Sequence, residues 1–329
     1  MRFYVGTYSV PGSPGIALCE MKDGRMTQLA NTEALRNPTY VILDRARQHL
    51  FAVGLDREAN GVAACFAVDD KQFELLATAP TGEGNACHLA LDQVERTLYT
   101  ANYPKGNLAV FSVDAGGAAM ERIQLISHQG SGAHPTRQER PHVHHCAFRP
   151  GTDELFVCDL GIDRIVTYTA DPTNGKVTQK SMIPAPGGTG PRHLVFRDAN
   201  SFYLAGELNS TVLAYALEKG EWVLKQVLST LPEGDYPDST TAAIRLSGNK
   251  LYVSNRGADN LAAFDVDQAG VLTPAGHIPC HGQSPRDFVV TDFGFLCANQ
   301  ISGTVTVVAP DGTLLGTLAV PGAVCICPM

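Results

Sequence analysis

The sequence predicts an all-β protein, a seven-bladed β-propeller of four-stranded blades that takes up residues 1–329 as a single domain. Three observations point there. A short apolar run, a Gly, Asn or Asp, one variable residue and a second alternating run recur seven times, punctuated at Gly6, Gly54, Asn102, Asp159, Gly206, Asn255 and Asn299, at intervals of 48, 48, 57, 47, 49 and 44 residues. Gly and Pro together supply 52 of the 329 residues, the turn content that many short strands require. Charged residues are only 18% against about 25% in an average domain, while 44% are hydrophobic, which excludes both a long helical bundle and a disordered chain.

The phrases, in order, are RFYVGT, HLFAVGL, TLYTANY, ELFVCDL, FYLAGEL, KLYVSNR and GFLCANQ. All but the first are preceded by another strand pattern: YVILD, HLALD, HCAFR, HLVFR, AAIRL and DFVVT. Two more strands follow each phrase, as in NLAVFSVD and then MERIQLI, so a repeat of roughly 45 residues holds four strands. The first phrase has no strand before it, and the apolar segment Ala323-Val324-Cys325-Ile326-Cys327 has no phrase after it. That segment is expected to complete the first blade and leave no open sheet edge. Two separate β-sandwich domains would need a linker and a change of repeat near the middle, and neither is visible. The long interval between Asn102 and Asp159 holds the polar stretch His128–Gln138, expected as a surface loop that closes over one mouth of the ring.

Antiparallel neighbours bring the start of each first strand and the residue after each second strand to the same mouth. The first set is Thr39, Cys87, His144, Arg192, Ala242 and Arg286; the second is Thr7, Leu55, Tyr103, Leu160, Glu207, Arg256 and Gln300. Polar members concentrate in blades four to seven and form the candidate site. Arg192, Arg256 and Arg286 suit a clamp for carboxylate or phosphate, or salt bridges between blades with Asp159 or Asp287. Glu207 suits a general base on water or a partner that orients a histidine, or a counter-ion for Arg192 or Arg256. His142 and His144 are two apart and should share a strand face, His144 being first choice for proton transfer and His142 second. These histidines with Glu207 could suit zinc, but no spaced Cys set or His-Glu-x-x-His accompanies them, and no metal or cofactor is expected. His88, His145 and His193 fall on the alternate face and should pack between blades. No Gly-x-Ser-x-Gly elbow occurs, Cys87 reads as a packed thiol, and Gly187-Gly188-Thr189-Gly190 lacks the following helix of a phosphate cradle.

The net charge of −8, from 33 acidic and 25 basic residues without a basic run, argues against nucleic acid and anionic membrane as partners. No 18-residue apolar window occurs, and Gly and Pro interrupt the first fifteen residues, so a cytoplasmic protein is expected. Nine cysteines are an odd number, and Cys19, Cys65, Cys87, Cys146, Cys158 and Cys297 lie in apolar runs, which suits reduced, buried thiols.

Several segments together resemble the lactonase family of seven-bladed propellers, which includes propeller-type 6-phosphogluconolactonases and fungal carboxy-cis,cis-muconate cyclases. They are Tyr4-Val5-Gly6-Thr7-Tyr8, Pro141-His142-Val143-His144, Gly190-Pro191-Arg192-His193, Glu207-Leu208-Asn209-Ser210-Thr211, Ser254-Asn255-Arg256-Gly257, Pro285-Arg286-Asp287-Phe288 and Ala298-Asn299-Gln300. The resemblance implies that His144 (or His142), Arg192, Glu207 and Arg256 are catalytic, the same residues that the ring geometry selects. His142, Arg286, Gln300 and Tyr103 are then expected to bind substrate. Gly206, Ala86 and Ala243 depart from the family's usual Asn, Pro and Glu and are expected to alter the mouth. The function so implied is hydrolysis of a small anionic sugar lactone, 6-phosphoglucono-1,5-lactone first, by a monomer or small homo-oligomer. Alternatives are an unphosphorylated aldono- or uronolactone, a carboxymuconate-type cycloisomerisation, or a binding propeller without chemistry.

Overall fold

Each punctuated phrase becomes the second strand of a blade in the computed structural model, which describes residues 1–22, 24–69, 71–82 and 84–329. Seven four-stranded antiparallel sheets form, six of them from strands consecutive in sequence. The seventh has the spatial order Ala323–Pro328, Arg2–Thr7, Ile16–Lys22, Arg25–Thr32, so the C-terminal segment does complete the first blade. The innermost strands are Ala323–Pro328, Arg36–Leu43, His88–Leu91, Val143–Phe148, Pro191–Asp198, Thr240–Ser247 and Pro285–Thr291, and each touches the next in a closed cycle. The molecule is therefore a seven-bladed β-propeller. Among the described residues the one helical element is the 3-10 turn Leu160–Ile162, and no helix is long and apolar enough to cross a membrane.

The apolar core is divided by the ring itself. Seven clusters of buried side chains each bridge two neighbouring blades, as where Phe156, Cys158 and Ile165 of blade four meet Phe202, Leu204 and Tyr215 of blade five. The two middle strands of each blade, such as Gly294–Asn299 and Thr304–Val308, are largely buried, whereas outer strands such as Leu314–Ala319 alternate with solvent. All nine cysteines are free, and seven of them are buried.

The punctuating residues have a structural cause. Asn255 Nδ2 donates to Thr230 O at 2.7 Å and to Asn260 Oδ1 at 2.9 Å, and Thr230 Oγ1 donates back to Asn255 Oδ1 at 2.7 Å. Asn102 likewise donates to Thr81 O at 2.8 Å and to Asn107, so the side chain staples the blade's central hairpin to the segment arriving from the outer strand of the preceding blade. At Gly6 backbone closes in instead, from the innermost strand of the next blade: an added Cβ would lie 2.5 Å from Pro38 O. Either an amide that bonds or a glycine that yields space satisfies the position. Asn255→Ala removes three buried hydrogen bonds and strips Asn260 Oδ1 of its partner, and is expected to cost about 2 kcal/mol in chemical denaturation, without loss of the β-sheet circular dichroism signal.

The ring axis carries a polar core. Tyr40, His88, His145 and His193, from blades two to five, meet ring to ring at centroid distances of 4.2 Å (Tyr40–His88), 4.1 Å (His88–His145) and 4.8 Å (His145–His193). Tyr40 reaches His193 directly at 6.3 Å, which places these rings on the axis rather than between blades as the sequence suggested. His144 joins them at 5.3 Å from His193, while across the channel Arg245 Nη2 donates to Asp287 Oδ1 at 2.5 Å. Burial first, then neighbouring histidines and the charges of Arg192 and Arg245, hold His88, His145 and His193 well below the ordinary imidazole range, His145 at about 3. His144 is lowered by burial and Arg192 against the opposing pull of Glu207. All four are neutral in the folded chain near neutral pH, whereas in the unfolded chain each titrates near pH 6.5. Below about pH 6.5 the unfolded state therefore binds more protons, and stability falls by up to about 1.4 kcal/mol per pH unit for each such histidine. Denaturation midpoints measured from about pH 8 down to about pH 5 should drop accordingly, with a shallower slope in His193→Gln. A pH-independent midpoint would contradict this burial.

Candidate active site

The mouth residues owe their position to a repeated backbone irregularity. Pairing between the inner and second strands slips between Arg36 and Tyr40, Val143 and His145, Pro191 and Leu194, Thr241 and Ile244, and Pro285 and Asp287. The residues left out of register include Thr39, His144, Arg192, Ala242 and Arg286, five of the six that strand geometry selects from the sequence; the sixth, Cys87, directly precedes the strand His88–Leu91. A bulge frees such a residue from the ladder and re-aims its side chain, here toward the mouth for four of the five. Ala242 is the exception and stays in the buried wall.

Thr39, Cys87, Tyr103, His144, Glu207, Arg256 and Arg286 line a cavity of about 380 Å³ at this mouth. Arg192 lies below it, lining with His144, His193 and Arg286 a smaller void of about 20 Å³ that leads to the axis. Glu207, 3% exposed, is the centre of the charges. Its Oε2 is 2.9 Å from Arg192 Nε, 3.1 Å from Arg256 Nη2 and 4.0 Å from His144 Nε2, and its Oε1 accepts from Arg137 Nη2 at 2.6 Å. The Arg192 Nε contact lies off the hydrogen-bonding direction and acts as charge alone. Neither Asp159 nor Asp287 pairs with these arginines: Asp159 holds His128 at 2.7 Å, and Asp287 holds Arg245. Glu207 thus serves as counter-ion to both Arg192 and Arg256.

Burial alone would raise the Glu207 carboxyl, but the charges of Arg256, Arg192 and Arg137 outweigh it and hold the group well below the ordinary carboxylate range. Burial and the charge of Arg256 bring Arg192 down to about 9, and burial pushes the Cys87 thiol up to about 12, the behaviour of a packed thiol. Arg286 differs from the other guanidiniums. It donates to Gln300 Oε1 at 3.2 Å and lies 5.3 Å over the Tyr8 ring, with no carboxylate in ion-pairing range among the described residues. Gln300 therefore backs Arg286 and does not line the cavity.

His142 is not where its spacing suggested. The inner strand begins at Val143 and bulges at His144, so the two histidines do not share a strand face. The His142 ring stacks on Tyr103 at 4.4 Å, its Nδ1 meets Tyr103 O at 3.0 Å, and its Nε2 turns toward Glu139. It fixes Tyr103 from behind and does not line the cavity. Of the remaining mouth positions, Thr7 Oγ1 is spent on Gly15 O at 2.6 Å, Leu160 is buried in the 3-10 turn, and Leu55 is absent from the cavity wall. Of the three departures from the family pattern, Ala86 lines the cavity, whereas Ala243 is buried between blades six and seven and Gly206 packs against Thr189, Asn209 and Thr211. Among the described residues no cluster of His, Cys, Asp or Glu is arranged to hold a metal ion.

Sequence reasoning missed Arg137, Tyr8, Asn37 and Asn85, all on the cavity wall. Arg137 lies inside the His128–Gln138 insertion, and a lone arginine in a loop expected at the mouth was the available signal.

A model of the family described as "Lactonase, 7-bladed beta-propeller" matches residues 2–327. A 6-phosphogluconolactonase of Bacillus subtilis is 33% identical over 345 aligned positions covering 98% of this chain and 97% of that protein. The solved structure of a periplasmic gluconolactonase of Pseudomonas aeruginosa superposes with a TM-score of 0.91 at 29% identity, covering 99% of this chain and 98% of that one. A protein of Lactobacillus plantarum of known structure superposes equally well, with a TM-score of 0.91 at 32% identity and coverage of 99% and 98%. With its seven closed blades, and with a family match that runs nearly from end to end, the chain belongs to the lactonase family of seven-bladed β-propellers.

Proposed function

We propose that this lactonase-family protein hydrolyses an anionic sugar lactone, with 6-phosphoglucono-1,5-lactone as its substrate. The observation that carries the reading is the charge at the mouth. Arg137, Arg256 and Arg286 line the cavity and Arg192 lies just below it, while among the described residues Glu207 is the one carboxylate on the cavity wall and Asp287 beneath is taken by Arg245, in a protein whose overall charge is −8. Such an excess of guanidinium, with Arg286 lacking any acidic partner, favours a ligand that brings negative charge of its own.

The chemistry follows from the same groups. Water adds to the lactone carbonyl, and Arg192 and Arg256 are placed to stabilise the oxyanion that develops there. Glu207 takes the proton from that water and delivers it to the ring oxygen as the ring C–O bond breaks, leaving a hydroxy acid that then ionises. A carboxylate held by three arginines is a weak base. An anionic substrate draws part of the guanidinium charge to itself, and Glu207 becomes more basic as the substrate binds. Lactones open readily in water, so modest base strength suffices. Neutral His144, its Nε2 4.0 Å from Glu207, stands on the cavity wall close enough to accept or return a proton as the ring opens.

A second reading, hydrolysis of unphosphorylated gluconolactone, is favoured by the name of the Pseudomonas aeruginosa structure. Proton release from a panel of phosphorylated and unphosphorylated aldonolactones, measured above the spontaneous rate, decides between them. Activity on unphosphorylated lactones alone would overturn the phosphogluconolactone assignment. Glu207→Gln should lower kcat by about 10²- to 10⁴-fold with the circular dichroism spectrum unchanged. An undiminished rate would remove Glu207 from the chemistry.

A further inference from the structure

Arg137 stands apart from the other arginines that hold Glu207. Arg192 and Arg256 come from strands and are nearly buried, with side chains 3% and 15% exposed, whereas Arg137 comes from a loop and is 40% exposed. Its Nη2 bridges the mouth, donating to Glu207 Oε1 at 2.6 Å and reaching the Tyr103 hydroxyl at 3.3 Å. It thus covers Glu207 Oε1 from the exposed rim of the cavity.

The loop that carries it is fastened at both ends. His128 is buried, with Nδ1 2.7 Å from Asp159 Oδ2 and Nε2 2.8 Å from the Tyr168 hydroxyl. Gln138, with no exposed surface, donates from Nε2 to Leu160 O at 2.7 Å and accepts from His134 N at 2.8 Å. Gly132 N closes the loop onto Gln138 O at 2.9 Å. A loop so anchored delivers one guanidinium to a fixed place on the rim and leaves only its side chain to move.

We propose that Arg137 is a specificity-determining residue: it latches Glu207 in the empty site and transfers to the phosphoryl group of the substrate when a phosphorylated lactone enters. The proposal rests on the lactonase reading above and adds the element that selects phosphorylated over unphosphorylated substrate. A phosphoryl dianion offers a guanidinium more charge and more acceptor oxygens than Glu207, which already shares Arg192 and Arg256. An unphosphorylated lactone offers no such exchange and leaves the latch closed.

The test compares wild type with Arg137→Gln and Arg137→Lys on 6-phosphoglucono-1,5-lactone and on glucono-1,5-lactone, alongside thermal melts. In Arg137→Gln, KM for the phosphorylated lactone should rise at least about tenfold more than KM for the unphosphorylated one, while Arg137→Lys recovers part of the difference. Parallel changes in both substrates, or none, would overturn the proposal. If wild type opens neither lactone, the lactonase reading fails separately, and calorimetric titration with inorganic phosphate then judges the latch. Weaker phosphate binding in Arg137→Gln would uphold Arg137 as the anion-selecting group, and equal binding would refute it.

Discussion

Glu207 lies between Arg137, Arg192 and Arg256 with almost none of its surface in water, and a carboxylate so buried is tolerable only because those charges surround it. The dependence is mutual. Arg192 is itself buried, and without Glu207 the two inner guanidiniums would face each other across a desolvated gap. One carboxylate cannot neutralise its three partners and the additional Arg286, and this imbalance sets the character of the mouth. The rest of the architecture serves it: the bulges supply the angle, and the ring supplies convergence from blades that are distant in sequence.

The fold was legible because its signal repeats. Two-residue alternation, broken at seven places by Gly, Asn or Asp, is hard to produce in any other way, and the structure shows the cause in the side-chain staple of Asn255 and the close backbone approach at Gly6. The mouth was partly legible by topology alone. Antiparallel strands must bring His144, Arg192, Glu207, Arg256 and Arg286 to one end of the ring, and the chain does so.

What escaped the sequence escaped for physical reasons. Strict alternation places His142 and His144 on one face, but the bulge at His144 breaks the alternation, and nothing in the residue types announces a bulge. Alternation also assigned His88, His145 and His193 to the packing between blades, whereas inner strands tilted around an axis bring those rings together at its centre. Arg137 belongs to an irregular loop, where no period relates sequence to direction. Its placement depends on long-range anchors, His128 to Asp159 and Gln138 to Leu160, that no local pattern encodes.

The closure of blade one bears on how the chain acquires its shape. Strand Arg2–Thr7 hydrogen-bonds to strand Ala323–Pro328, so blade one joins two segments between which all of blades two to seven lie in sequence. Blades two to seven can assemble as each is synthesised, since their strands are consecutive. The inner edge of Arg2–Thr7 has no partner until Ala323–Pro328 is made, and that pairing closes the cycle of innermost strands. The seam makes ring closure the contact of longest sequence separation in the fold, and the axis on which the histidines meet is walled on every side only once Ala323–Pro328 has paired.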